Sequence, residues 1–255
     1  MKYNKVLITG GSGYLGGFAI DQLTDSYDLT VFDRVQPDKD VQFIKGDITK
    51  FEDVDSACQG QDAVVHLAAL VRGRSEKTHE DFADIMVKGS WNIAAACVNK
   101  KVERLVNISS IIAIGPPQPR ETPFRETDPA DFKAGDLYYC LSKSLGEQIG
   151  NAYHQAHGLN VIHIRPGVIE GDGSNPGPKE PEDPNQPWFI YVSPKDVAYA
   201  IQGALETEVT NGAYNILAGR QDSLYDISAA RRDLGFAPQF NWPEISEGKS
   251  HEQCP

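Results

Sequence analysis

Lys5-Val6-Leu7-Ile8-Thr9-Gly10-Gly11-Ser12-Gly13-Tyr14-Leu15-Gly16 runs an apolar strand into a turn with glycine at positions 10, 13 and 16, and then into a helix. Gly10 permits the tight turn, Gly13 lets a pyrophosphate approach the backbone with no Cβ in the way, and Gly16 lets the helix pack closely on the strand. The helix that begins at Tyr14 and Leu15 points free N–H groups and the positive end of its dipole at the turn. A glycine triplet also occurs in purely structural turns, so the next strand carries the decision. That strand ends Val31-Phe32-Asp33, with Asp33 seventeen positions beyond Gly16. A carboxylate there accepts hydrogen bonds from adenosine ribose hydroxyls and repels a 2′-phosphate. NAD is therefore favoured over NADP, although Arg34 alongside offers a guanidinium that could pair with a 2′-phosphate.

Working outward, Lys5–Thr9, Asp28–Phe32, Val41–Lys45, Asp62–Leu67, Arg104–Ile108 and Asn160–Arg165 are short apolar or β-branched runs bounded by Gly, Asp or Asn. They read as buried parallel strands. Tyr14–Leu23, Phe51–Cys58, Phe82–Asn99 and Tyr138–His157 have helical spacing between them. Alternation of strand and helix predicts an α/β fold with an open, doubly wound parallel sheet. Gly171–Pro187 carries five prolines and three glycines and reads as a loop. Ser193-Pro194-Lys195-Asp196 predicts a helix start, running to about Leu205. A strand near Ala213–Leu217, a short helix near Leu224–Leu234 and a Pro-rich tail from Pro238 complete the chain. The expected organisation is a dinucleotide-binding domain over residues 1–170 and a small substrate-binding addition over 171–255 that partly returns to the sheet.

The 255 residues are 40% hydrophobic and 24% charged, with 23 Gly and 16 Pro, a globular balance that excludes wholesale disorder. A net charge of −12 argues against nucleic acid or an anionic membrane as partner, since both require clustered Lys and Arg. A small anionic ligand stays open, because a pocket of backbone N–H groups acts locally. Cys58, Cys97, Cys140 and Cys254 form no CxxC pair, which predicts reduced thiols in a cytoplasmic protein. No export signal is seen ahead of the first strand, and no run approaches the roughly 20 apolar residues of a membrane span.

Tyr139 and Lys143 stand four apart in Tyr138-Tyr139-Cys140-Leu141-Ser142-Lys143, so on a helix both side chains share a face. An unperturbed phenol, with a pKa of about 10, is a poor base at neutral pH, and a fixed ammonium nearby favours the phenolate. Such a pair can move a hydroxyl proton as hydride leaves carbon. Alone, the spacing is also common on surface helices.

Taken together and in order, these motifs resemble the short-chain dehydrogenase/reductase superfamily, in its extended, epimerase/dehydratase-like branch. The motifs are the glycine turn, Asp33, Gly46-Asp47-Ile48, His66-Leu67-Ala68-Ala69, Ser109-Ser110, Tyr139 with Lys143, and Arg165-Pro166-Gly167. The resemblance implies a Rossmann-type sheet. It places Asp47 and Ile48 at the adenine, Leu67, Ala68 and Ala69 along the pyrophosphate and nicotinamide ribose, and Pro166 and Val168 against the nicotinamide. Lys143 would hydrogen-bond the nicotinamide ribose, Tyr139 would be the acid/base and Ser110 would polarise the substrate oxygen, with Arg165 in a structural ion pair. Two departures matter. Met86 stands three residues before Gly89, where the family has Asn, and the region replaced by Gly171–Pro187 is shorter than in members that bind nucleotide-sugars. The shortening resembles compact uronate and other free-sugar dehydrogenases.

The expected activity is thus NAD-dependent oxidation of a hydroxyl on a sugar or sugar acid, with a (nucleotide-)sugar epimerase or dehydratase as the alternative and a non-catalytic NAD(P)-binding regulator as a third reading. The resemblance also implies a homodimer built on Phe82–Asn99 and Tyr138–His157. Arg72 and Arg74 read as a solvated basic loop, His66 as packing at a strand end, Cys140 as core, and Trp188, Phe189 and Tyr191 as packing. His154, His157 and His163 lack metal-ligand spacing, and no metal is expected.

Overall fold

The computed structural model describes residues 2–70, 77–118, 120–133, 136–171, 190–221 and 223–240. Its first half alternates β1 (Lys5–Thr9), α1 (Tyr14–Leu23), β2 (Asp28–Asp33), β3 (Gln42–Lys45), α2 (Phe51–Ala57), β4 (Ala63–His66), α3 (His79–Phe82), α4 (Gly89–Lys100) and β5 (Arg104–Ile108). The second half has α5 (Leu137–His157), β6 (Asn160–Pro166), β7 (Val168–Ile169), β8 (Tyr191–Val192), α6 (Pro194–Glu206), β9 (Asn211–Ile216) and α7 (Ser228–Leu234). Seven strands form one sheet in the order β3-β2-β1-β4-β5-β6-β9, with every neighbouring pair parallel. This is the doubly wound α/β sheet that the alternation predicts. The order reverses between β1 and β4, where Thr9 pairs with His66, so a crevice opens beyond the carboxyl ends of those two strands.

Helices cover both faces, which is why β1 and β4 carry the apolar runs Val6-Leu7-Ile8 and Ala63-Val64-Val65. Successive β1 side chains go to opposite layers. Ile8 joins Ile20 and Leu23 of α1 and Ile201 and Leu205 of α6 on one side. Leu7 joins Val54, Ile93 and Cys97 on the other. Both layers are dry, and fully burying a side chain such as Ile93 or Ile201 contributes about 1.5–3 kcal/mol each. Residues after 190 extend the same sheet: β9 lies along β6 from Val161 to Pro166, and α6 packs beside α1.

Several local outcomes differ from the sequence pattern: β7 and β8 were not marked by it, and β3, read as buried, is mostly exposed. The helix read from Phe82 begins earlier, at a Thr78–Asp81 capping box, and its turns widen over Ala83–Lys88 before α4. Gly89 then lies against Ile48, where a Cβ would meet Cγ1 at 3.0 Å, and Asn92 Nδ2 donates to the Ile48 carbonyl at 2.9 Å. Of the helix read over Leu224–Leu234, only Ser228–Leu234 is helical. The preceding backbone pairs with a distant loop instead: Phe124 N donates to Leu224 O at 2.7 Å, and Asp226 N to Phe124 O at 2.8 Å. In the tail, Gln239 N and Phe240 N donate to the buried Asp196 carboxylate. Beyond Gly171, the loop read over Gly171–Pro187 lies outside the described residues, as do Arg72, Arg74, Trp188, Phe189, Cys254 and the tail past 240. Among the described residues no helix is long and apolar enough to cross a membrane.

Candidate active site

A single cleft of about 1330 Å³ runs along the carboxyl ends of the central strands. Gly10, Gly13, Tyr14, Leu15, Gly16, Asp33, Arg34, Asp47 and Ile48 line one end, and Ser110, Tyr139, Lys143, Pro166 and Val168 the other, with Leu67, Ala68 and Ala69 between. The structure therefore brings together every residue singled out as a candidate.

At the first end the backbone sets the shape. Gly10 has φ +74°, and a Cβ on it would stand 2.6 Å from Ala68 N, so β1 and the end of β4 approach closely only because the residue is glycine. A Cβ on Gly16 would meet the Gly11 carbonyl. Gly13 caps α1 with no side-chain hydrogen bond, and the first turn contains no acid. The helix N–H groups and dipole are thus available to an anion, and the turn leaves the room a pyrophosphate needs. Asp33 holds its carboxylate in place by accepting from Ser12 N at 3.1 Å and Arg34 N at 2.6 Å. Asp47 accepts from the backbone and hydroxyl of Thr49, both at 2.9 Å. The Thr49 backbone bond is the main reason the Asp47 carboxyl lies below the usual range, with Arg34 and Lys50 as further positive neighbours. These residues fit a dinucleotide whose ribose and adenine lie along Asp33 and Asp47.

At the second end, α5 starts from Asp136, whose carboxylate accepts from Tyr139 N at 3.2 Å, so the cap fixes the turn bearing Tyr139. The phenol is half-buried, edge-on to Phe82 with ring centroids 6.3 Å apart, and it packs on the small cluster of Leu70, Phe82 and Met86. Lys143 Nζ lies 5.8 Å from the Tyr139 ring centroid and donates to the Ile108 carbonyl at 2.7 Å. Burial pushes the Lys143 pKa down to about 8, against an opposing pull from Glu147. A lysine in that range remains largely charged at neutral pH. The two serines differ. Ser109 is buried with its hydroxyl donating to Glu147. Ser110 is half-buried at the cleft, capping the single helical turn Ile111–Ile114.

Behind these residues lies a buried polar network. Arg165 on β6 grips both oxygens of Glu147, Nε to Oε1 at 2.8 Å and Nη2 to Oε2 at 2.6 Å, and its Nη1 donates to the Glu126 carbonyl at 3.0 Å. Burial alone would raise the Glu147 carboxyl, yet Arg165 and Ser109 hold it below its usual value. His66 shares a 2.7 Å hydrogen bond with Thr9 Oγ1, and burial, with Lys143 nearby, pushes its pKa down to about 3. Cys140 is buried beside Tyr139, and Tyr191 is buried in β8. Glu147 is the residue missed by the sequence reading, and its signal was available: it stands four beyond Lys143, as Lys143 stands four beyond Tyr139.

The profile of the family described as the NAD dependent epimerase/dehydratase family matches residues 6–190. The chain is 28% identical over 270 residues to an NAD-dependent glucose-6-phosphate dehydrogenase of Haloferax volcanii, covering 98% of each chain. It is 24% identical over 256 residues to an L-arabinose 1-dehydrogenase (NAD(P)(+)) of the same organism, covering 95% of this chain and 99% of the relative. Among solved structures it superposes on a glucuronic acid dehydrogenase from Chromohalobacter salexigens with a TM-score of 0.79 at 22% identity, over 95% of this chain and 86% of the other.

Proposed function

The chain belongs to the NAD-dependent epimerase/dehydratase family, and from that premise we propose that it is an NAD-dependent oxidoreductase acting on a hydroxyl of a free sugar or sugar acid. The observation that carries this reading is the meeting of Ser110, Tyr139 and Lys143 in the same cleft as the glycine turn and Asp33. NAD, when bound, supplies the hydride acceptor. The free N–H groups of α1 hold its pyrophosphate, Asp33 its adenosine ribose and Lys143 its nicotinamide ribose. Asp33 repels a 2′-phosphate, which favours NAD over NADP.

In this reading Tyr139 takes the substrate hydroxyl proton. The Lys143 ammonium lowers the cost of the phenolate, and Ser110 donates a hydrogen bond to the substrate oxygen as its charge develops. Residues from 171 onward supply the substrate-binding addition. A sugar substrate is supported by relatives named for L-arabinose and glucose-6-phosphate that match almost end to end, the free-sugar class by the first of them. We further infer a homodimer through α4 and α5, which leave Trp91 56%, Tyr138 52% and Leu141 38% exposed, and a cytoplasmic location, supported by the buried thiols of Cys58 and Cys97, which form no disulfide.

The test is purified protein with excess NAD and a panel of aldoses, aldose phosphates, uronates and nucleotide-sugars, with cofactor and products followed by NMR. Sustained reduced cofactor with one free sugar or sugar acid is the expected result. An epimer without net reduction would replace the dehydrogenase with an epimerase, and turnover of nucleotide-sugars alone would overturn the substrate class.

A further inference from the structure

Lys143 is buried and carries a charge the proposed reaction needs, which raises the question of what stabilises that charge. From β5 it receives the Ile108 carbonyl, a dipole and not a counter-ion. From β4 it faces His66, which burial keeps neutral near and above pH 6. From α5 it faces Tyr139 one turn before it, and Glu147 one turn after it. Among these groups Glu147 alone is an anion. Residues four apart on a helix lie about 5–6 Å apart at Cβ, and in a water-poor interior Coulomb interactions at that range are strong.

Glu147 also ties three elements together. Its carboxylate accepts from Ser109 at the end of β5 and from both Nε and Nη2 of Arg165 on β6. Ser109 is the residue after Ile108, and its own N–H donates to Ile164 O on β6 at 2.7 Å. The carbonyl that receives Lys143 is therefore adjacent to the residue Glu147 grips. His163, the remaining titratable group near Glu147 on β6, hydrogen-bonds Asn107 and Asn151, and burial pushes it down to about 4, so it is neutral at working pH. Glu126 touches the network through its backbone carbonyl, which Arg165 binds, while its carboxylate accepts from Asn215 N.

We propose that Glu147 is a positioning residue of this reaction: it clamps the carboxyl ends of β5 and β6 to α5, and its carboxylate keeps the buried Lys143 ammonium charged beside Tyr139. The inference deepens the oxidoreductase reading and rests on it for the word reaction; the Lys143–Glu147 coupling itself is measurable without a substrate. The sign is definite. Removing the anion leaves burial unopposed and leaves the buried positive charge of Arg165 uncompensated nearby, so Lys143 loses its proton at lower pH.

The test is a pH titration of lysine labelled with carbon-13 by NMR on the full chain, with Lys143→Arg identifying the resonance. Wild type is expected to titrate below an ordinary lysine, at about 8, and Glu147→Gln about one pH unit lower still. The alkaline limb of kcat/KM falls by the same amount, because charged Lys143 is lost earlier. Glu147→Asp keeps the charge on a shorter arm: its melting temperature falls, while the Lys143 midpoint stays within a few tenths of wild type. If Glu147→Gln does not fold, Glu147→Asp carries the test, and a midpoint displaced as far as burial alone would put it overturns the proposal. A Lys143 midpoint unchanged in Glu147→Gln, with only a lower melting temperature, overturns it too and leaves Glu147 as a structural clamp. Should the midpoint move while no sugar is oxidised, the coupling stands and the oxidoreductase reading falls.

Discussion

At the Gly10 end of the cleft the backbone shapes the site, within a stretch of chain running from Gly10 to Asp47; at the Tyr139 end the site is made of side chains gathered from β5, α5, β6 and the segment before α4. The first end is shaped by a helix start with no side-chain cap and by glycines too small to obstruct it. The second depends on buried charge, Lys143 against Glu147 and Arg165. A backbone site fails by losing shape and hence binding, whereas a charged side-chain site fails by losing the protonation state that chemistry requires. Substitutions at the two ends should therefore separate cofactor binding from turnover.

The largest effect falls at the catalytic end. Tyr139→Phe removes the hydroxyl proposed to exchange a proton while keeping the ring that packs on Phe82 and Met86. We expect kcat to fall by about 10²–10⁴-fold, with NAD affinity by calorimetry and the melting temperature both near wild type. Retained turnover would transfer the acid/base role elsewhere and dissolve the contrast between the two ends.

Gly10→Ala is the counterpart. The new Cβ must occupy a site 2.6 Å from Ala68 N at φ +74°, where the neighbour is backbone and cannot swing away. The expected cost is about 1–3 kcal/mol, seen as a lower melting temperature together with weaker NAD binding, while kcat at saturating NAD changes least. A loss of kcat with unchanged NAD affinity would show that the two ends are not separable.

How much was legible in the sequence follows the same division. The glycine turn and Asp33 were legible from the residue types the turn and the strand end require, and Asp47 from the resemblance, although Gly10 is held to glycine by the distant Ala68 backbone. The central strands were legible too, because apolar runs are what burial on both faces requires, whereas the two-residue β7 and β8 were not read and β3, read as buried, is mostly exposed. What sequence did not yield is non-local. Tyr225 reads as helical by its neighbours, yet it stacks on Phe124 at 5.2 Å and its backbone pairs there. Glu147 reads as an ordinary polar residue of a helix until Arg165, some way along the chain, is seen to pair with it.

Met86 is the smallest and sharpest case. It stands where the resembled family has Asn, and it is 4% exposed, enclosed by Leu70 and Phe82 with Ala69, Ile85 and Tyr139 against them. An amide in that cluster would find apolar side chains on the sides these residues occupy, so its hydrogen-bonding groups would lose water with no partner there in return. Met86→Asn should therefore destabilise the protein by about 1–3 kcal/mol, lowering the melting temperature by about 2–10 °C, and leave kcat no higher than wild type. Met86→Leu keeps the volume and should cost less than about 1.5 kcal/mol. If Met86→Asn instead raised kcat at unchanged stability, the cluster behind Tyr139 would be tolerant of a polar group, and the catalytic end would depend less on dry packing than the comparison holds.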